Sequence, residues 1–159
     1  MIANLRVDHR LLHGQVAFAW TNYLGVNCIL IANDAIANDD MRKNTLRLAK
    51  PSGVKLIMKP ISESASAINQ GLTDKYKMFI IVESVKDAYQ LIKETGEAIK
   101  QLTLGGTKAT TETINVSKAV NLKDEEFDYL DELTSMGVEV SLQQVPTDKK
   151  VKYSDIKRR

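Results

Sequence analysis

The sequence has one cysteine and two histidines, and its charges nearly balance. The lone Cys28 excludes an internal disulfide, fits a reducing, cytosolic setting, and reads as a small core residue within an apolar run. A formal net charge of +2 is too small to imply nucleic-acid binding. The basic residues are scattered except in Lys149-Lys150-Val151-Lys152 and Lys157-Arg158-Arg159, which read as a solvated end rather than a binding arm. No apolar run approaches the roughly 20 residues that span a bilayer, and no signal peptide is expected before the first strand. Neither Gly-x-x-x-x-Gly-Lys-Ser/Thr nor Gly-x-Gly-x-x-Gly occurs, so a phosphate donor need not be a nucleotide. No cysteine–histidine cluster suits zinc, and neither metal nor cofactor is expected. Repeats, long linkers and low-complexity segments are also missing, and the 159 residues are expected to form one domain, 1–159, with a sizeable core.

What the chain does have is apolar runs of strand length alternating with segments of helical period. Strands are predicted at Ile2–Val7, Asn27–Ala32, Val54–Met58, Met78–Val82, Gln101–Leu104 and Val138–Val145, with a short one at Ala119–Leu122. Helices are predicted at Gly14–Leu24, Asp39–Lys50, Ser62–Gln70 (capped by Ser62), a segment opened by Ser84 and closed by Gly96, and Asp124–Met136 (capped by Asp124). In the last of these Phe127, Leu130, Leu133 and Met136 form an apolar stripe. Thr107–Val116 shows no clear period. The alternation implies an α/β fold, an open, mostly parallel twisted sheet with helices on both faces. Ligands of such sheets bind beyond the carboxyl ends of the strands, near a topological switch point. The loops expected there start at Asp8, Asn33, Pro60, Glu83 and Gly105.

Both histidines fall in one such loop, Arg6-Val7-Asp8-His9-Arg10-Leu11-Leu12-His13-Gly14-Gln15-Val16. A neutral imidazole is a nucleophile at phosphorus. His13 adjoins a helix start, where unpaired N–H groups, including those of Gly14 and Gln15, and the positive end of the helix dipole favour an incoming phosphoryl group. Arg10 could neutralise the equatorial oxygens, and Asp8 could hold either the ring or Arg10. The plainer alternative makes His13 a capping or loop residue and Asp8–Arg10 a local salt bridge. His9 is a competing acceptor, a supporting residue or, the reading favoured here, an exposed loop residue. Ser84 reads most simply as a helix cap, and Gly105-Gly106 as a tight turn or as backbone that approaches a phosphate. Leu11 and Leu12 either face partners or tuck under the loop. Phe18 and Trp20 read as packing residues, and Asp34 as a turn former.

The stretch Arg6–Val16 strongly resembles the active-site signature of enzyme IIB components of the bacterial sugar phosphotransferase system, mannose/fructose/sorbose family, commonly Arg-[Ile/Val]-Asp-Asp-Arg-[Leu/Phe]-[Ile/Leu]-His-Gly-Gln-[Val/Ile]. The resemblance continues through Ile31-Ala32-Asn33-Asp34, Met41-Arg42-Lys43, Leu104-Gly105-Gly106 and Leu142-Gln143-Gln144-Val145-Pro146, essentially the whole chain. It implies a cytoplasmic phosphocarrier working at the inner face of the membrane. A IIA phosphohistidine would donate to His13, on Nδ1, and the phosphoryl group would pass to a sugar bound by the membrane components IIC and IID. The resemblance implies roles for Asp8 and Arg10 in the active loop, and phosphate contacts are expected from Gly14, Gln15, Ser84 and Gly106. His9 departs from the aspartate common at its position, and Thr107 from the methionine usual after the glycine pair. The sugar is not identified, and a homo-oligomer is open.

Two other functions compete. A receiver-like signalling module would be phosphorylated on Asp34, but such modules need an acidic cluster at the end of the first strand to hold magnesium, and here that strand ends in Asp8-His9. A relative that has lost catalysis would only bind partners.

Overall fold

The computed structural model describes residues 1–156. In chain order the elements are β1 (Ile2–Asp8), α1 (Gly14–Leu24), β2 (Cys28–Ala32), α2 (Asp40–Leu48), β3 (Lys55–Lys59), α3 (Ile61–Asn69), β4 (Met78–Val82), α4 (Val85–Thr95), β5 (Gln101–Gly106), β6 (Ile114–Asn115), β7 (Asn121–Leu122), α5 (Asp124–Ser135), β8 (Glu139–Leu142) and β9 (Val151–Lys152). Seven strands form one twisted sheet in the order β3-β2-β4-β1-β5-β8-β9, parallel except for β9, which runs antiparallel to β8. The fold is α/β with a mostly parallel sheet between helical layers, as the alternation of runs predicts.

Strands β2 and β4 are buried along their whole length, which is why they read as unbroken apolar runs. Their alternate side chains feed two cores. Leu5, Val7, Leu30, Ile80 and Leu104 point to the face covered by α3, α4 and α5, while Ile29, Ile31, Phe79 and Ile81 point to the face that carries α1 and α2. Helix α4 shows how local chemistry sets an end. Ser84 Oγ accepts the Asp87 N–H at 3.1 Å, and Val85, Ala88, Leu91 and Ile92 pack down one side.

Several expectations are corrected. The cap of α3 is Pro60, not Ser62, because the Pro60 carbonyl already accepts the Ser64 N–H and Asp34 Oδ1 takes that of Ile61. The cap of α5 is Lys123, whose N–H bonds back to Glu126, so Asp124 is the first helical residue. Met136 lies past the helix and is exposed, as is Phe18. Val151–Lys152 is an edge strand rather than a free tail; the remaining basic residues, 157–159, lie outside the described segment. The threonine-rich stretch leads into a β6–β7 hairpin fixed by Thr107, whose Oγ1 donates to the Asn121 carbonyl and accepts the Asn121 N–H.

From β1 the chain leaves through α1 on one face toward β2; from the adjacent β4 it leaves through α4 on the other face toward β5. That divergence opens a crevice beyond the carboxyl ends of β1 and β4, where Asp8 and Glu83 stand.

Candidate functional site

Strand alternation puts Arg6 and Asp8 on the α1 face, opposite Leu5 and Val7. Both are buried, an unusual setting for an arginine and an aspartate unless they are paired. Arg6 Nη2 donates to Asp8 Oδ2 at 3.3 Å and to the Gln144 carbonyl at 2.9 Å, and Nη1 donates to the Gln143 carbonyl at 3.0 Å. Its guanidinium lies 5.4 Å from the Trp20 ring centroid, and Trp20 Nε1 donates to the same Gln144 carbonyl. Burial pulls the Arg6 guanidinium below its ordinary value, against the raising effect of Asp8. The room for this group comes from Gly105: a Cβ there would stand 2.1 Å from Arg6 Cζ.

Asp8 is the hub. Besides Arg6 it accepts the Arg10 backbone N–H at 3.0 Å, has Arg10 Nε at 3.9 Å, and bonds His13 Nε2 at 3.0 Å. A carboxylate only accepts, so this bond places the ring proton on Nε2 and leaves the lone pair on Nδ1. The ring of His13 is 22% exposed and the side chain of Arg10 is 51% exposed, so both face solvent above a buried base.

The loop is held from below. Leu11 and Leu12 tuck into the α1–α2 core. Leu11 takes a φ of 59°, costly for a residue with a side chain, while its N–H closes a turn onto the Asp8 carbonyl at 2.9 Å. His13 is the N-cap of α1 in extended conformation, and Gly14 follows with a φ of 40°, which glycine adopts without strain. Gly14 and Gln15 are exposed at the helix start.

The structure thus brings together Asp8, Arg10, His13, Gly14 and Gln15. His9 is half buried rather than exposed. Its N–H donates to the Gly106 carbonyl at 3.0 Å, and its Nδ1 is shielded without a hydrogen-bond partner. Gly106 therefore meets the loop through His9. Ser84 stands one residue past Glu83, its Oγ engaged in capping α4. Asp34, two residues past β2, accepts the Ile61 N–H at the start of α3. Sequence reasoning did not find Arg6, Trp20 or the Gln143 and Gln144 carbonyls as site components; the available signal was an arginine in an apolar strand together with a glycine pair at the end of another.

Glu83 follows Val82, the β4 partner of Val7, and so stands at the same edge of the sheet as Asp8. Its Oε2 accepts from Arg42 Nη2 at 2.6 Å and its Oε1 from Asn33 Nδ2 at 3.3 Å. Burial pushes this carboxyl up, but the hydrogen bonds from Arg42 and Asn33 outweigh it and hold the group below its ordinary value. No cluster of three or more potential metal ligands occurs among the described residues.

The profile of the family described as PTS system sorbose subfamily IIB component matches residues 2–158. A Streptococcus pyogenes serotype M6 protein, described as "probable phosphotransferase enzyme IIB component", is 34% identical, with 98% of this chain and 99% of that one covered. The fructose-specific EIIB component of Bacillus subtilis is 28% identical over 96% of this chain and 93% of its own. Among solved structures, the IIBSor domain of the Klebsiella pneumoniae sorbose permease superposes with a TM-score of 0.91 at 28% identity, covering 98% of this chain and 94% of that one.

Proposed function

The chain belongs to the sorbose subfamily of phosphotransferase-system IIB components, and from that premise we propose that residues 1–159 act as one IIB phosphocarrier with His13 as the acceptor. A IIA phosphohistidine is the donor, and a sugar held by the membrane components IIC and IID is the final acceptor. The observation that carries this reading is the Asp8–His13 bond at 3.0 Å through Nε2, which leaves Nδ1 as the nucleophile.

The lone pair of Nδ1 attacks phosphorus as the bond from phosphorus to the donor imidazole breaks; that imidazole leaves with the electron pair. The Nε2 proton of His13 stays on its bond to Asp8, so no proton need be lost. Asp8 favours the positive charge that gathers on the ring during attack. Arg10 and the N–H groups that open α1 meet the phosphoryl oxygens. The relatives carry the names of different sugars, which fits a carrier that reads the phosphoryl group while the membrane component reads the sugar. No helix among the described residues is long and apolar enough to cross a membrane; in this reading the chain meets IIC and IID by docking at the inner face.

Incubation with a complete phosphate relay tests the proposal. The label is expected to be lost in acid and to survive alkali, as a phosphohistidine does. A label cleaved by hydroxylamine would assign an acyl phosphate, with Asp34 as the acceptor, and an unlabelled protein would leave a binding role only.

Arg10→Lys is expected to fold normally and to transfer roughly tenfold more slowly in both directions, because lysine keeps the charge but loses the planar fork. Stopped-flow transfer rates check this; unchanged rates would reduce Arg10 to a loop residue.

A further inference from the structure

We infer that Arg42 is a second phosphoryl-gripping residue for transfer at His13, held ready by Glu83; this rests on His13 being the acceptor. Val7 of β1 pairs with Val82 of β4, so Asp8 and Glu83 are the next residues at the ends of two adjacent strands, which run about 4.8 Å apart. Phe79 and Ile81 face the α1–α2 side, and Glu83, one residue past β4, reaches that same side, where it bonds Arg42 of α2 and where Asp8 holds His13. Two carboxylates thus stand at the ends of paired strands on one side of the sheet, one bound to the acceptor ring and the other to Arg42.

A phosphoryl group arriving on Nδ1 adds a dianion to this row. Arg10 approaches it from the loop. On the opposite flank, an uncompensated Glu83 would repel the group. Arg42 cancels that charge and offers more: it spends only Nη2 on Glu83, and no side-chain hydrogen bond from its Nε or Nη1 is formed among the described residues. A guanidinium has five N–H donors, so Arg42 can stay on Glu83 and still present donors toward the phosphoryl oxygens. Its side chain is 35% exposed and so open to an incoming group. Asn33, bonded to the other Glu83 oxygen, keeps that carboxylate from turning away. Arg42 exchanges no proton or electron; the bond changes remain those at the two imidazoles. Glu83 is a positioning residue, since it acts through Arg42.

The experiment compares the intact wild-type chain with Arg42→Gln, Arg42→Lys and Glu83→Gln, measuring the phosphoryl-transfer rate, the ³¹P chemical shift of the phosphorylated histidine and the melting temperature. Arg42→Gln is expected to slow acceptance about tenfold or more and to move the ³¹P resonance. Arg42→Lys is expected to recover part of the rate. Glu83→Gln, which leaves the guanidinium in place but loosens it, is expected to lose less than Arg42→Gln. A pair that only ties α2 to the sheet would instead give Arg42→Gln and Glu83→Gln equal losses of melting temperature, with transfer rate and ³¹P shift unmoved, and would overturn the inference. A wild-type chain that is not labelled on His13 would overturn the underlying assignment; a labelled wild type with an unaffected Arg42→Gln would overturn the role of Arg42 alone.

Discussion

His13→Ala is expected to abolish acid-labile phosphorylation while leaving the protein folded. The imidazole is the only group at the helix start with a lone pair suited to attack phosphorus. Its structural contribution is small: one hydrogen bond to Asp8 from a partly exposed ring, and no side-chain cap for α1. Loss of such a bond costs about 1 kcal/mol, a few degrees of melting temperature for a chain of this size. The matching control is His9→Ala, which is expected to keep the label and change mainly its rate or pH dependence. His9 turns its Nδ1 into the protein beside Gly106, so that nitrogen cannot receive a phosphoryl group. Mass spectrometry of the labelled chains and thermal melts check both variants. Label on His13→Ala with none on His9→Ala would move the acceptor to the middle of the loop.

The second large effect is expected from a residue with no chemistry. Gly105→Ala would put a methyl group where the Arg6 guanidinium lies, 2.1 Å from Cζ. The end of an arginine is ordinarily free to step aside, but this one is buried and tied to Asp8 and to the Gln143 and Gln144 carbonyls. Displacing it leaves Asp8 a buried carboxylate without its main cationic partner, a loss of about 3–5 kcal/mol, or roughly 10 °C in melting temperature. Transfer is expected to fall with it, because Asp8 orients His13. Calorimetry on Gly105→Ala, Arg6→Met and the double variant tests the cause. If the methyl acts through Arg6, the double variant is no less stable than Arg6→Met alone; additive losses would place the damage in the strand itself.

The sheet was legible in the sequence because burial on both faces of a central strand leaves an unbroken apolar signal. The bounds Met78–Val82 and Gly14–Leu24 and the Ser84 cap match those that the sequence pattern predicts. The misplaced caps of α3 and α5 have one cause: serine and aspartate favour a cap by side-chain chemistry, but the backbone turns helical earlier, by two residues after Pro60 and by one after Lys123. The strands β6 and β9 have two residues each and owe their form to the strands they pair with, which no local pattern records, while β7 falls within the short run Ala119–Leu122. The site divides in the same way. Asp8, Arg10 and His13 were legible because one loop carries all three. Arg6 was not singled out, since its acceptors at Gln143 and Gln144 lie more than a hundred residues away along the chain. Leu11 and Leu12 left two options open, and burial selects the one in which they anchor the loop.

The bond from His13 to Asp8 bridges only five positions of the chain, and Asp8 ends a central strand. The proposed nucleophile is therefore tied to the sheet rather than left on a free surface loop. On the proposed function, a donor protein would meet a target that is already shaped and need not wait for it to fold around the incoming group. The tempo of relay at such a target would be set by how often two firm surfaces collide in the right orientation, which would place the control of flux in protein concentration and surface charge rather than in conformational gating.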